Sequence, residues 1–348
     1  MVVVGADVHK RTHTFVAVDE VGRQLGTFTV AAVTEGHQAA ARWARDRFGE
    51  DLLWALEDCR HLSARLERDL LGAGQRVVRV PPKMMAEQRR TARTRGKSDP
   101  IDALAVARAA QRDPGLPVAS HDEVSSELKL LVDRREDLVG HRTAAINRLH
   151  DHVHRIDPGL RVKDVNRAAG QRRLAEQLSG VPGVLAQIAL DELDDITALS
   201  VKIDRLHKDI AARVAQVAPA LLGMPGAGAL TAAKLIAETA GVARFKSEAA
   251  FARHAGVAPI PVWSGNTAGR VRLCRAGNRQ LNAALHRIAI TQIRLDGPGR
   301  VYFLRKKAEG MSTPEALRCL KRQIARVVFS HLHADEQART TASFQAAA

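Results

Sequence analysis

The 348-residue chain carries 53 lysines and arginines against 38 aspartates and glutamates, a net charge of +15, with 45% hydrophobic and only 3% aromatic residues. The apolar content excludes a wholly disordered basic tail, and the charge points to a polyanionic partner, nucleic acid ahead of a membrane. So few rings exclude a surface that grips bases by stacking, so the charge would have to act on phosphates. The length predicts two domains, or one with an insertion, at ~100–200 residues each.

The first 80 residues alternate between strand and helix patterns. Val2 to Val8 is a β-branched run, followed by strands over 14–19 and 24–30 with a turn at Glu20-Val21-Gly22-Arg23. Helical spacing covers 35–48, a buried strand 52–57, a helix 62–71 closed by Gly72, and a fifth strand 76–80 stopped by Pro81-Pro82. Three antiparallel strands followed by strand–helix alternation is the order of an RNase H-like sheet. From Val124 apolar residues recur at Leu128, Leu131, Leu138, Ile146, Leu149, Val153 and Ile156, with Arg135 and Arg142 on the seam. A cleaner heptad runs through Ile196, Leu199, Ile203, Leu206, Ile210 and Val217, which fits a coiled coil or a bundle. The stretch 159–183 breaks that pattern. From Pro219 helices are predicted to about Thr239, near 247–255, near 279–293 and over 313–332, with a Pro/Gly loop at 256–269. The fold class is therefore α/β plus all-α. An α/β domain spans 1–120, a helical segment 121–218, a helical domain 219–333, and a disordered tail 334–348.

Four carboxylates occupy places where a metal site would need them. Asp7 ends the first strand and Glu57 the fourth, while Asp99 and Asp102 are three apart on one face of a helix's first turn. Paired Mg²⁺ ions require hard oxygen ligands from separate elements, and phosphodiester chemistry uses such pairs. Read singly, each has a plainer role. Asp99 suits a helix N-cap, with Pro100 at the first helical position and Asp102 completing a capping box; Asp7 suits a turn, and Glu57 a pair with Arg60. Around the pair lie Lys83, Arg89, Arg90, Arg93, Arg95 and Lys97, a basic loop suited to phosphates or a solvated face.

A second set centres on Ser264-Gly265, between Pro259-Ile260-Pro261 and Arg270, Arg272, Arg275 and Arg279. A serine that attacks phosphorus needs an exposed hydroxyl and nearby cations, although Ser-Gly in such a loop is commonly a turn. Gly226-Ala227-Gly228 before a helix offers backbone N–H groups to phosphate, or simply starts the helix. His150/His154 and His331/His333 lack the carboxylate or cysteine pattern of a metal site and read as surface positions. Cys59, Cys274 and Cys319 lie far apart, which fits a reducing compartment. The apolar N-terminal run is too short for a signal peptide, and no segment approaches the ~20 apolar residues of a membrane span. The expectation is a soluble, cytoplasmic protein.

Val3-Val4-Gly5-Ala6-Asp7-Val8-His9-Lys10, Ala55-Leu56-Glu57 and Lys97-Ser98-Asp99-Pro100-Ile101-Asp102-Ala103 resemble the DEDD motifs of transposases of insertion-sequence family 110. Met224-Pro225-Gly226-Ala227-Gly228, Ala233 to Glu238, Arg244-Phe245, Ala255-Gly256-Val257-Ala258-Pro259, Ser264-Gly265 and Arg275-Ala276-Gly277-Asn278-Arg279-Gln280-Leu281 follow that family's C-terminal domain in order. The resemblance implies a RuvC-like N-terminal domain, a coiled-coil segment and a helical transposase domain. It further implies a recombinase guided by a structured bridge RNA that pairs with donor and target DNA. On the matching motifs, Asp7, Glu57, Asp99 and Asp102 would hold Mg²⁺, and Ser264 would form a 5′-phosphoserine link. The two domains would come from different subunits of a homo-oligomer, a dimer or a synaptic tetramer. Trp263 stands where the family often has a second small residue, which leaves Ser264 as the candidate nucleophile. The rival readings are a RuvC-type endonuclease in which Ser264 is a loop residue, and a non-catalytic assembly factor whose acids are caps.

Overall fold

The computed structural model describes residues 1–57, 60–91, 98–120, 122–269, 271–273 and 277–347. They fall into two compact units, Met1–Glu123 with Glu238–Ala348, and Val124–Ala237.

The first unit begins with β1 (Val2–Val8), β2 (Thr12–Val18) and β3 (Gln24–Ala31), then α1 (Thr34–Phe48), β4 (Leu52–Glu57), α2 (Arg60–Gly72) and β5 (Arg76–Val80). The sheet order is β3-β2-β1-β4-β5; β1 to β3 are antiparallel, and β4 and β5 run parallel to β1. This is the RNase H-like arrangement. Strands β1, β2 and β4 are buried along nearly their whole length, which is why they read as unbroken apolar runs. Alternation along each strand divides two cores. Val4, Ala6, Phe15, Trp54 and Leu56 pack with Ala40, Ala44, Leu66 and Leu70 of α1 and α2. On the opposite face Val3, Val16, Leu53, Ala55 and Val78 meet α3 (Pro82–Thr91) and α4 (Asp99–Arg112) through Met85, Ala103, Val106 and Ala107.

Pro81-Pro82 therefore starts a helix rather than a loop, because a proline suits the first helical turn, where no N–H is needed. Arg89 and Arg90 lie on that helix; Arg93, Arg95 and Lys97 fall outside the described residues.

The second unit contains α5 (Glu123–Ile156), α6 (Ala168–Ser179), α7 (Val184–Val217), α8 (Pro219–Leu222) and α9 (Ala229–Thr239), whose terminal residues pass into the first unit. Helices α5 and α7, 34 residues each and so about 50 Å long, run antiparallel. Glu127 pairs with Arg213, Arg142 donates to Ser200 Oγ at 3.1 Å, and Arg148 meets Glu192 at 2.5 Å. Ala145, Leu149 and Val153 close on Ala189, Leu193 and Ile196, and α6 seals the end with Leu174 and Leu178. The stretch that broke the heptad pattern thus contains a helix. This compact unit runs on past residue 218 to Ala237. Lys234 of α9 is 1% exposed and pairs with Glu136 of α5 at 2.7 Å, a contact within this unit.

The rest of the first unit is helical: α10 (Glu248–His254), a ribbon of β6 (Pro259–Pro261) and β7 (Val271–Leu273), then α11 (Arg279–Arg294), α12 (Pro298–Ala308) and α13 (Thr313–Ala347). The disordered tail expected from 334 is corrected, since α13 continues to Ala347. Alanine, glutamine and arginine favour helix without an apolar stripe; Asp335 is buried, and Glu336 accepts the Val242 N–H at 2.8 Å. Among the described residues no helix is long and apolar enough to cross a membrane.

Candidate metal centre and the serine loop

Register places the first two carboxylates side by side. Ala6 lies opposite Leu56 on parallel neighbours, so Asp7 and Glu57 stand one residue further along at adjacent strand ends. Asp7 continues the series Val3, Gly5, and Glu57 the series Leu53, Ala55, so both belong to the face that α4 covers. Gly5 lets α4 come this close, because a Cβ there would lie 2.2 Å from the Ala103 carbonyl oxygen and 2.5 Å from the Ala107 nitrogen. With α4 seated on bare backbone, its first turn brings Asp99 and Asp102 to the end of β1.

Asp7 is 8% exposed and Asp102 6%. His9 Nε2 lies 3.1 Å from Asp7 Oδ2 and 3.5 Å from Asp99 Oδ1, and ligand atoms of Asp7, His9 and Asp99 all fall within 4.8 Å of one another. Burial raises the Asp7 carboxyl above its ordinary value; the His9 charge and hydrogen bond oppose this, and nearby Asp102 and Asp99 add to it. Crowded carboxylates half out of water are relieved by a cation, and an oxygen-rich set with one imidazole fits a divalent metal. His9 was not picked from the sequence, although Asp-x-His at a strand end is a signal that could have revealed it. Among the described residues neither His150/His154 nor His331/His333 joins such a cluster.

The capping interpretation of the acidic pair loses its main support. The N-cap is Ser98, with no side-chain cap hydrogen bond, and Asp99 is already helical. A box anchored on Asp99 is therefore not formed, leaving the first-turn acids to favour the helix dipole and face Asp7.

Ser264 stands elsewhere in the same unit, exposed between β6 and a single 3-10 turn over Gly265–Thr267, beside Trp263 at 56% exposure. The feet of its loop are fixed by α11. Asn282 donates to the carbonyls of Ala255 and Gly256 at 2.9 and 3.1 Å and is held by Lys321. Asn278 caps the helix through the N–H groups of Gln280 and Leu281, and donates to Glu238 at 2.7 Å. Arg272 and Arg279 are exposed at the end of the ribbon and the start of α11; Arg270 and Arg275 fall outside the described residues.

Comparison with known proteins agrees with this layout. The IS110 DEDD family, described as "Transposase", matches residues 4–158, and the "Transposase IS116/IS110/IS902 family" matches residues 218–303. The chain is 28% identical over 376 residues to the "Insertion element IS116 uncharacterized 44.8 kDa protein" of Streptomyces clavuligerus, covering 94% of both chains. It is 28% identical over 388 residues to the "Insertion element IS900 uncharacterized 42 kDa protein" of Mycobacterium paratuberculosis, again with 94% of both covered. Among solved structures, T. thermophilus RuvC in complex with Holliday junction substrate matches 34% of this chain and 99% of its own, at 16% identity and a TM-score of 0.27. Two family matches in the expected order, together spanning the DEDD region and the serine domain, place the assignment beyond a single motif: the chain belongs to the IS110 family of transposases.

Proposed function

We propose that this transposase cuts and rejoins DNA through Ser264, with Mg²⁺ held by Asp7, Glu57, Asp99 and Asp102, and that a structured bridge RNA selects donor and target DNA. The observation that carries the reading is the convergence of Asp7, Asp99 and His9 at the mouth of a sheet face closed by α4. A metal there would supply positive charge to a phosphate in the transition state. The chain's own residues do the rest. The carboxylates fix the position of that charge, and Arg272 and Arg279 draw the DNA backbone towards the serine loop. Ser264 Oγ attacks the scissile phosphorus: the Oγ–P bond forms as the P–O3′ bond breaks, the hydroxyl loses its proton, and the leaving 3′ oxygen gains one. The result is a 5′-phosphoserine link and a free 3′-hydroxyl, and reversal on another strand rejoins the DNA.

In this scheme the carboxylates and Ser264 of one active site come from different copies of the chain, in a dimer or a synaptic tetramer. Two variants test the scheme with purified protein, guide RNA and paired DNA substrates. Ser264→Ala is expected to abolish both strand exchange and the covalent protein–DNA species, whereas Asp7→Asn is expected to lower both by at least about a hundredfold. Cleavage that survives Ser264→Ala at full rate would mean a metal-activated water does the work, as in a RuvC-type endonuclease. Full activity in Asp7→Asn would remove the metal site.

A further inference from the structure

At the far end of the α5–α7 hairpin, the chain forms a basic hollow that the strand-transfer scheme leaves unused. It measures about 330 Å³ and is lined by Asp157, Leu160, Arg161, Lys163, Arg173 and Gln177. Two elements contribute, namely the loop that follows α5 and the helix α6. Small-molecule pockets of this size, ~300–1,000 Å³, are lined mostly by apolar and aromatic groups, yet here Leu160 is the one apolar side chain. The lining suits a charged ligand.

Its charges are available. The three cations are exposed and form no ion pair among the described residues. Asp157, the one acid in the lining, accepts the Gly159 N–H at 2.7 Å. The segment around the hairpin is otherwise balanced, with 15 basic and 16 acidic residues over 119–218. Three unpaired cations around one hollow are thus a local departure from a neutral background.

The loop that carries them is also held in shape. Asp164 adopts φ +54°, one of two non-glycine residues with positive φ among the described residues. Such a conformation costs about 1 kcal/mol or more and persists only where surroundings impose it. Here Gly170 of α6 lies against it, since a Cβ at Gly170 would sit 2.3 Å from the Asp164 carbonyl oxygen. Gln171 donates to the Val165 carbonyl at 3.0 Å, the Arg167 N–H bonds back to Asp164, and Val165 is buried. Lys163 and Arg161 therefore leave a fixed loop next to Arg173, and little ordering entropy remains to be lost on binding.

We propose that this hollow binds backbone phosphates of nucleic acid, with Arg161, Lys163 and Arg173 as the ligating cations. The inference rests on the reading of the chain as a nucleic-acid recombinase. It adds a contact remote from both the carboxylates and Ser264 in sequence, placed to hold the guide RNA or the flanking DNA duplex.

The test measures binding of the full chain to a 30-nucleotide RNA stem-loop and to a 30-base-pair DNA duplex, by fluorescence anisotropy at several salt concentrations. The triple variant Arg161→Ala, Lys163→Ala, Arg173→Ala is compared with Lys202→Ala, Arg205→Ala, Lys208→Ala, which removes three exposed charges from α7. Thermal unfolding of each confirms the fold. Removing a cation that grips one phosphate should make the slope of log K against log salt shallower by ~0.7–0.9. The pocket variant should therefore be shallower by about two to three in all and bind at least tenfold more weakly. The α7 variant should bind as the wild type does. A loss confined to one nucleic acid supports the proposal and identifies the source of the phosphate. Equal affinity and slope for the pocket variant and the wild type would overturn it while leaving the recombinase reading intact. Failure of the wild type itself to bind either nucleic acid would overturn both.

Discussion

Asp7 rests on a strand buried on nearly every residue, with α4 pressed against the glycine two positions before it, whereas Ser264 stands on an exposed loop beside a tryptophan that is 56% exposed. Both regions are anchored, though at different depths. The carboxylates are fixed by the core itself, so site geometry and stability are one property there. The serine loop is held at its feet, through Asn278 and Asn282. A group that positions charge gains from rigid walls. Under the proposed scheme the Ser264 hydroxyl must meet DNA and a second subunit, so it has to stand clear of its own core.

The sharpest way to break this contrast is Gly5→Val. Its Cβ would meet backbone atoms of α4 at 2.2 and 2.5 Å, so the helix must move or the strand must bend. Overpacking of this kind costs about 3 kcal/mol, and the shift carries Asp99 and Asp102 away from Asp7. We expect a matching fall in the urea midpoint and a loss of divalent-cation binding by calorimetry. Stability within about 0.5 kcal/mol of the wild type, with binding retained, would show that α4 does not seat on Gly5.

Acid should separate the two regions next. On the other face of the sheet His13 is 2% exposed and stacks on His37 at 5.1 Å. Burial, aided by the neighbouring His37, pushes the His13 imidazole down to about 4. The unfolded chain binds a proton near the ordinary value of 6.5, whereas the folded chain resists it until about 4. Stability from the neutral ring is thus complete above 6.5 and is lost as pH falls towards 4, by about 3 kcal/mol in all. His13→Gln should flatten that part of the stability–pH curve. Trp43 and Trp54 report on the sheet and Trp263 on the serine loop, so a Trp263→Phe background isolates the acid response of the sheet. An unchanged slope between pH 6.5 and 4 in His13→Gln would place the acid response elsewhere.

Much of the carboxylate region was legible in the sequence, because buried strands announce themselves by unbroken apolar runs and their ends fix where Asp7 and Glu57 must lie. The approach of α4 was not. Gly5 reads as a weak point in a strand until the helix packed on it is seen. His9 was hidden for a related reason, since its partners come from two distant segments. Helices α3, α6 and α12 were missed where proline, glycine or a broken heptad suggested loops, although Pro82 and Pro298 both sit in first helical turns. The continuation of α13 was obscured by its lack of an apolar stripe; tertiary contacts at Asp335 and Glu336 supply what periodicity does not.

The smallest expected effect sharpens the contrast most. Ser264 is exposed, on a loop whose feet are held by other residues. Surface substitutions away from caps and cores stay within about 0.5 kcal/mol of the wild type, so Ser264→Ala should unfold at the wild-type denaturant midpoint and bind divalent cation with wild-type affinity. Paired with loss of the covalent protein–DNA species, that null effect on stability would assign the serine to chemistry alone. A destabilisation above about 1 kcal/mol would instead make Ser264 part of the loop's framework and remove the basis for treating the two regions as differently built.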